Sequence, residues 1–208
     1  MSNAVVSRYG NIPFFPNMIT QAVEMDPVFS FYLNRKNGVV GGEMVLGGVD
    51  PEYFTGDFER LPVVSDNSWA IDIKSLKING VEYCRGTCTG VISTAASLIL
   101  GSVNMVDEIN SQLGARLGGD GEYVLNCNDI DILPAIEFVF KERSYILDAK
   151  DYVLKQVNWL STDCTSPFDG NNGIAPGYWI LGDVFMRKFY TVFNFGEQEI
   201  WLADVNND

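Results

Sequence analysis

No histidine occurs anywhere in the 208 residues. That absence removes the base of a Ser-His or Cys-His nucleophile pair and the usual nitrogen ligand for zinc. Other routes to an activated serine are missing as well, since the chain contains neither Ser-x-x-Lys nor Gly-x-Ser-x-Gly. Basic residues are scarce: 14 Lys and Arg stand against 27 Asp and Glu, for a formal net charge of -13. Phosphate contacts need clustered Lys and Arg, so this balance argues against a nucleic-acid partner. The same excess repels an anionic membrane surface and favours solubility. No apolar run approaches the roughly 18 to 20 residues that span a bilayer, and the polar-studded start lacks a signal-peptide pattern. Met1-Ser2-Asn3-Ala4 reads as a trimmed start. Tandem repeats and low-complexity tracts are absent too.

What is present suits an all-β chain with a few short helices. Hydrophobic residues make up 47%, aromatics 12% and charged residues only 20%, enough for one substantial core or two small ones. Gly, Asn, Asp and Ser punctuate short apolar stretches, the texture of strands and turns. Phe14 to Asp26 reads as a short helix capped by Asn17, with Met18, Ala22 and Met25 on one face, stopped by Pro27. Val28 to Leu33 is a strand apolar on both faces, turning at Asn37-Gly38 into a return strand from Glu43 to Gly48. Leu61 to Val64, Trp69 to Lys74 and Leu76 to Ile78 continue a meander as far as the Asn79-Gly80 turn. Val106, Ile109 and Leu113 are spaced for a helix that Gly114 ends. Further strands are expected at Tyr123 to Leu125, Ile136 to Phe140, Tyr145 to Leu147, Trp179 to Leu181, Tyr190 to Phe193 and Ile200 to Ala203, with a helical turn at Asp151 to Lys155. Glu197-Gln198 marks the last hairpin, and Asp120-Gly121 and Asp169-Gly170 read as turns.

Four cysteines, Cys84, Cys88, Cys127 and Cys164, allow three pairings that spacing alone does not separate. Zinc is the alternative, but the chain offers neither histidine nor a C-x-x-C pair. Disulfides are therefore expected, and with them a secreted or lysosomal/vacuolar-type compartment.

The informative stretch is Cys84 to Gly101, CRGTCTGVISTAASLILG. Val91 and Ile92 lead into a polar turn, Ser93 to Ser97, and Leu98, Ile99 and Leu100 leave it. This resembles the active-site loop of pepsin-like aspartic proteases of the pepsin and cathepsin D type. Their loop reads Asp-Thr-Gly-Thr-Ser after two apolar residues, whereas this one reads Ser93-Thr94-Ala95-Ala96-Ser97. The resemblance extends through PVFSFYLNR (Pro27 to Arg35), VLGGVDPEYFTGDFERLPV (Val45 to Val63), SWAIDIKSLKING (Ser68 to Gly80), LPAIEFVF (Leu133 to Phe140) and WILGDVFMRKFYTVFNF (Trp179 to Phe195). It implies a pepsin-like acid protease fold, with residues 1–42 as the end of the N-terminal lobe and the inter-lobe strand, and 43–208 as the C-terminal lobe. It also implies the pairings Cys84 with Cys88 and Cys127 with Cys164, and a fold needing neither cofactor nor metal.

In that family two carboxylates, one per lobe, share a proton, activate water and protonate the leaving amine. Here the catalytic position is Ser93, a hydroxyl that stays neutral through the usable pH range and has no activating partner. Ala95 replaces a glycine that lets two loops approach closely. Ala96 replaces a hydroxyl that contacts the substrate backbone, while Thr94, which interlocks with the other lobe's loop, is retained. No substitute catalytic aspartate is visible, and Asp183 reads as hydrogen-bonded structure. The resemblance thus implies an endopeptidase homologue that is inactive but binds a peptide or protein through Thr94, Ala95, Ala96 and Ser97. The alternatives are half of an acid endopeptidase completed by a separate N-terminal lobe, or a secreted structural protein that binds no peptide. An uncovered inter-lobe sheet edge would be covered by that separate lobe or by a second copy in a homodimer.

Overall fold

The computed structural model describes residues 14–21, 24–35, 41–157, 159 and 161–206. In chain order the elements are α1 (Phe14–Gln21), β1 (Val28–Leu33), β2 (Gly42–Leu46), β3 (Phe54–Pro62), β4 (Ala70–Ile78), β5 (Val81–Ile92), β6 (Ile99–Gly101), α2 (Val103–Gln112), β7 (Arg116–Leu117) and β8 (Tyr123–Leu125). A 3-10 turn (Cys127–Ile132) follows, then β9 (Ile136–Val139), β10 (Ser144–Leu147), α3 (Ala149–Tyr152), β11 (Leu154–Val157), β12 (Thr162–Thr165), β13 (Phe168–Gly170), β14 (Tyr178–Leu181), α4 (Asp183–Met186), β15 (Phe189–Asn194) and β16 (Glu199–Val205). The chain is mainly β with short helices, and it divides into two units, Met1–Ile71 with Met186–Asp208, and Asp72–Phe185.

The first unit is built on a five-stranded antiparallel sheet ordered β2-β1-β15-β16-β3. Period-two alternation sorts its side chains onto two faces. Phe29 and Phe193 are register partners and stack at 4.9 Å, with Trp69 5.8 Å and Phe15 4.7 Å from Phe29. The opposite face gathers Val28, Tyr190, Val192 and Val205 against half-buried Tyr53, Phe54 and Trp201. A buried polar knot fixes one end of that face. Ser30 Oγ donates to Gly48 O at 2.9 Å, so its single proton is used, and Tyr190 OH donates to Ser30 Oγ at 2.7 Å while accepting from Asp50 N at 3.1 Å.

Helix α1 departs from its expected bounds. It begins at Phe14, burying Phe15 and Pro16, because a proline in the first turn removes an N–H that has no intrahelical partner anyway. Asn17 therefore lies inside the helix rather than capping it, and its Oδ1 accepts from Gln21 Nε2 at 3.0 Å. Met25 lies beyond the helix end. Ala22 and the Asn37-Gly38 turn fall outside the described residues.

The second unit combines a seven-stranded mixed sheet, β10-β9-β4-β5-β14-β6-β13, with a four-stranded sheet, β11-β12-β8-β7. Asn79 and Gly80 both have positive φ, 51° and 76°, as the type I′ hairpin between β4 and β5 requires. Its core holds Ile73, Leu76, Ile78, Phe138, Leu147, Trp179 and Phe185, all with no exposed surface. Phe138 and Phe140 meet Phe185 edge-on at 5.6 and 5.9 Å. Two expectations need correction here. The helical turn is Ala149–Tyr152, held by an Asp148–Asp151 capping box, and Lys155 is already in strand β11. Asp169-Gly170 is no turn but the end of strand β13, where a Cβ on Gly170 would lie 3.1 Å from Val103 Cα. That glycine serves close packing of α2 on β13.

Candidate functional site

Strand β14 is inserted between β5 and β6, the two strands that Ser93 to Ser97 connect. It runs parallel to β5, with Ile180 opposite Val91 and Leu181 opposite Ile92, and antiparallel to β6, with Leu181 opposite Ile99. The turn therefore bridges two inter-strand spacings, roughly 9 to 10 Å, which a two-residue hairpin does not reach. Its polar, small residues suit a segment that must leave one strand, cross the end of another and enter a third.

The residues after β14 stitch the turn in place. Ser93 N donates to Leu181 O at 3.1 Å, and the loop carbonyls are met in sequence: Leu98 O by Gly182 N at 3.2 Å, Ala96 O by Asp183 N at 2.9 Å, Ser97 O by Val184 N at 3.3 Å. Within the loop Ala96 N donates to Ser93 O at 3.4 Å, and Ala95 N to Ser93 Oγ at 3.3 Å. A Cβ on Gly182 would collide with the carbonyl oxygens of Ala96 and Leu98, so only glycine permits this approach. Ser93 and Ala96 are half-buried, whereas Thr94, Ala95 and Ser97 are exposed at the crest. Trp179 and Leu181 are fully buried beneath it.

Two disulfides brace the same unit. Cys84 joins Cys88 within β5, with a Cα separation of 5.6 Å, and Cys127 joins Cys164, tying the 3-10 turn to β12 at 5.4 Å. Among the described residues no group of three or more His, Cys, Asp or Glu is placed to hold a metal ion.

Directly after the loop, Leu98 opens onto a cavity of about 350 Å³ whose wall includes Asp120, Glu122, Tyr123, Gln156, Phe168 and Asp169. Tyr123 donates its hydroxyl to Asp107. That hydrogen bond, followed by burial and the charges of Asp107 and Asp169, pushes the Tyr123 phenol up to about 12. Sequence reading brings none of these residues together, because they come from separate strands and turns whose convergence no local spacing announces.

The sequence matches the family description eukaryotic aspartyl protease over residues 1–205. Among curated relatives, cathepsin D of Gallus gallus is 37% identical over 195 residues, covering 92% of this chain and 49% of the relative. Pepsin II-1 of Oryctolagus cuniculus is 37% identical, covering 95% of this chain and 51% of its own length. Cathepsin D of Dictyostelium discoideum is 34% identical, at 92% and 50%. The chain spans about half the length of these relatives. Together with the mainly β architecture and the loop laid across strand β14, this places the chain in the eukaryotic aspartyl protease family, as a pepsin-like member.

Proposed function

We propose that the chain is a catalytically inactive pepsin-like C-terminal lobe that retains a binding role towards a peptide or protein. The observation that carries this reading is the side chain at Ser93. The loop backbone is held by hydrogen bonds at Ser93, Ala95, Ala96, Ser97 and Leu98, yet the position of the family's catalytic carboxylate carries a neutral hydroxyl that, among the described residues, accepts the loop's own Ala95 N–H at 3.3 Å. A hydroxyl needs a base before it can act on water or a peptide carbonyl, and the chain contains no histidine to supply one. The Ala95 methyl sits where the family keeps a glycine for close approach of a second loop. Thr94, exposed at the crest, is the group through which the loop would dock.

The docking partner in this reading is a ligand, a separate N-terminal lobe or a second copy of the chain. Support comes from β2, which is an edge strand among the described residues, with Gly42, Glu43 and Met44 exposed and an edge that can pair with another strand. Residues 1–42 then belong with the N-terminal lobe and 43–208 form the C-terminal one. The two disulfides support a secreted or lysosomal-type compartment.

Purified chain incubated with denatured globin from strongly acidic to neutral pH is expected to cleave nothing beyond a mock preparation; inhibitor-sensitive cleavage would overturn the assignment. Binding of a transition-state peptide analogue separates a binding lobe from a purely structural one. The half-length match to the relatives favours one further reading, half of an acid endopeptidase completed in trans. Cleavage on mixing the unaltered chain with a family N-terminal lobe would establish it. If activity appears only with the Ser93→Asp, Ala95→Gly, Ala96→Thr variant, the inactive-lobe reading stands.

A further inference from the structure

Three Asn-Gly pairs occur in the chain: Asn37-Gly38, Asn79-Gly80 and Asn172-Gly173. Asparagine is chemically labile, and most so before glycine, where no Cβ shields the following backbone nitrogen. In that reaction the glycine nitrogen loses its proton and attacks the asparagine Cγ, a new N–C bond forms, and the side-chain nitrogen departs as ammonia. Water then opens the cyclic imide at either carbonyl, leaving aspartate or its β-linked isomer. Two local conditions decide the rate: whether the nitrogen is free, and whether it can swing towards the asparagine side chain.

Asn37-Gly38 lies outside the described residues. The other two pairs differ. Asn79 has a left-handed φ of 51° in the β4–β5 hairpin, and in that conformation a ψ of roughly +47° turns the Gly80 nitrogen to the far side of the backbone from the Asn79 Cβ. Ring closure there requires the hairpin to come apart, and its flanking Ile78 is wholly buried. Asn171 to Ile174 instead form a turn on the way from β13 to β14, with Ile174 N donating to Asn171 O at 3.1 Å. Neither Asn172 nor Gly173 has a positive φ, and Asn171, Asn172 and Gly173 are all exposed. The Gly173 N–H is held by the Asn171 side chain, whose Oδ1 accepts from it at 2.7 Å.

We propose that Asn172 is a deamidation site and that Asn171 sets its rate by holding the Gly173 nitrogen. Opening one exposed hydrogen bond frees the nucleophile, whereas Asn79 waits on the opening of a core hairpin. The product places a carboxylate, or an extra main-chain carbon, in the segment that leads into β14, the strand across whose end the Ser93 to Ser97 loop is laid. Because the attacking nitrogen must first lose its proton, the change is slow in acid and speeds up as pH rises. The amide therefore survives in an acidic compartment and is consumed outside it.

The test incubates the folded chain at mildly acidic and mildly alkaline pH and follows amide-to-acid conversion at each asparagine by peptide mapping and mass spectrometry. Of the two described pairs, Asn172 should convert first, and faster at alkaline pH. Asn171→Ala should speed conversion at Asn172 by about fivefold, the weight of one exposed hydrogen bond. Asn171→Asp, which keeps an acceptor oxygen in the same place, should stay near the native rate. In urea the native chain and Asn171→Ala should convert alike, because neither then has a turn to guard the nitrogen. Conversion at Asn79 ahead of Asn172 in the folded chain would overturn the site, and an unchanged rate in Asn171→Ala would overturn the guard. A difference between the two chains that persists in urea would also overturn the guard, by tracing the effect to the local sequence rather than the fold.

Discussion

Replacing Gly182 by alanine tests whether the loop is shaped by the segment behind it. The added methyl would be driven into the carbonyl oxygens of Ala96 and Leu98, which are backbone atoms and have no rotamer to escape into. Relief requires the loop and the 182–184 segment to part, loosening three hydrogen bonds: Gly182 N to Leu98 O at 3.2 Å, Asp183 N to Ala96 O at 2.9 Å and Val184 N to Ser97 O at 3.3 Å. At about 1 kcal/mol net for each, the expected loss is roughly 3 kcal/mol. The assay is amide hydrogen exchange, in which the amides of Gly182, Asp183 and Val184 should exchange about a hundredfold faster in the variant. Gly119→Ala is the control, because an added Cβ meets nothing within 4 Å there, and it should be neutral or stabilising by about 0.4 to 1 kcal/mol. If Gly182→Ala costs less than about 0.5 kcal/mol, the range of an ordinary surface change, the close approach does not hold the loop.

The two disulfides should differ in worth. Cys127 and Cys164 are 37 positions apart and Cys84 and Cys88 only 4, so chain-entropy arguments give about 4 kcal/mol for the first and about 2 kcal/mol for the second. Urea unfolding of the Cys127→Ser/Cys164→Ser and Cys84→Ser/Cys88→Ser variants measures both, and a larger loss from the short bridge would refute the ordering. Alkaline pH should weaken the fold in a defined window. Tyr53 donates to Glu43 at 2.8 Å, and this bond, ahead of burial and nearby carboxylates, pushes its phenol from 10.0 up to about 12. Tyr123, bonded to Asp107, is raised to about 12 as well. The folded chain keeps these protons where the unfolded chain has lost them, so stability is full below pH 10 and falls as pH rises to 12. Glu43→Gln should move the Tyr53 titration back towards 10.0, read from phenolate absorbance. An unmoved titration would show that the hydrogen bond is not its cause.

Legibility in the sequence followed the range of the forces involved. Period-two alternation exposed β1 and β15 because Phe29 and Phe193 need only a local pattern to be sorted onto one face. Asn79-Gly80 was readable because a type I′ turn is a two-residue property. The loop was readable through its likeness to a known family, and the serine that this likeness sets against the family's aspartate, Ser93, is visible in the letters themselves. Asn17 misled as a cap, since its side chain is competent to cap and only the burial of Phe15 and Pro16 draws the helix start earlier. Asp169-Gly170 misled because a glycine kept for contact with Val103 is spelled like a glycine kept for a turn. The insertion of β14 between β5 and β6, and the acidic wall beside Leu98, arise from pairings across most of the second unit.

That insertion also sets an order of assembly. Ser93 to Ser97 takes its shape from Leu181 to Val184, and most of the second unit lies between the two segments in the chain. The entropy of closing so long a loop is incurred before any of these hydrogen bonds can form, and such non-local pairings slow folding. During synthesis the loop emerges well before the strand that frames it, so its exposed crest is among the last features of the second unit to be completed. A chain truncated ahead of Trp179 can form its early hairpins, but it has no template for the loop.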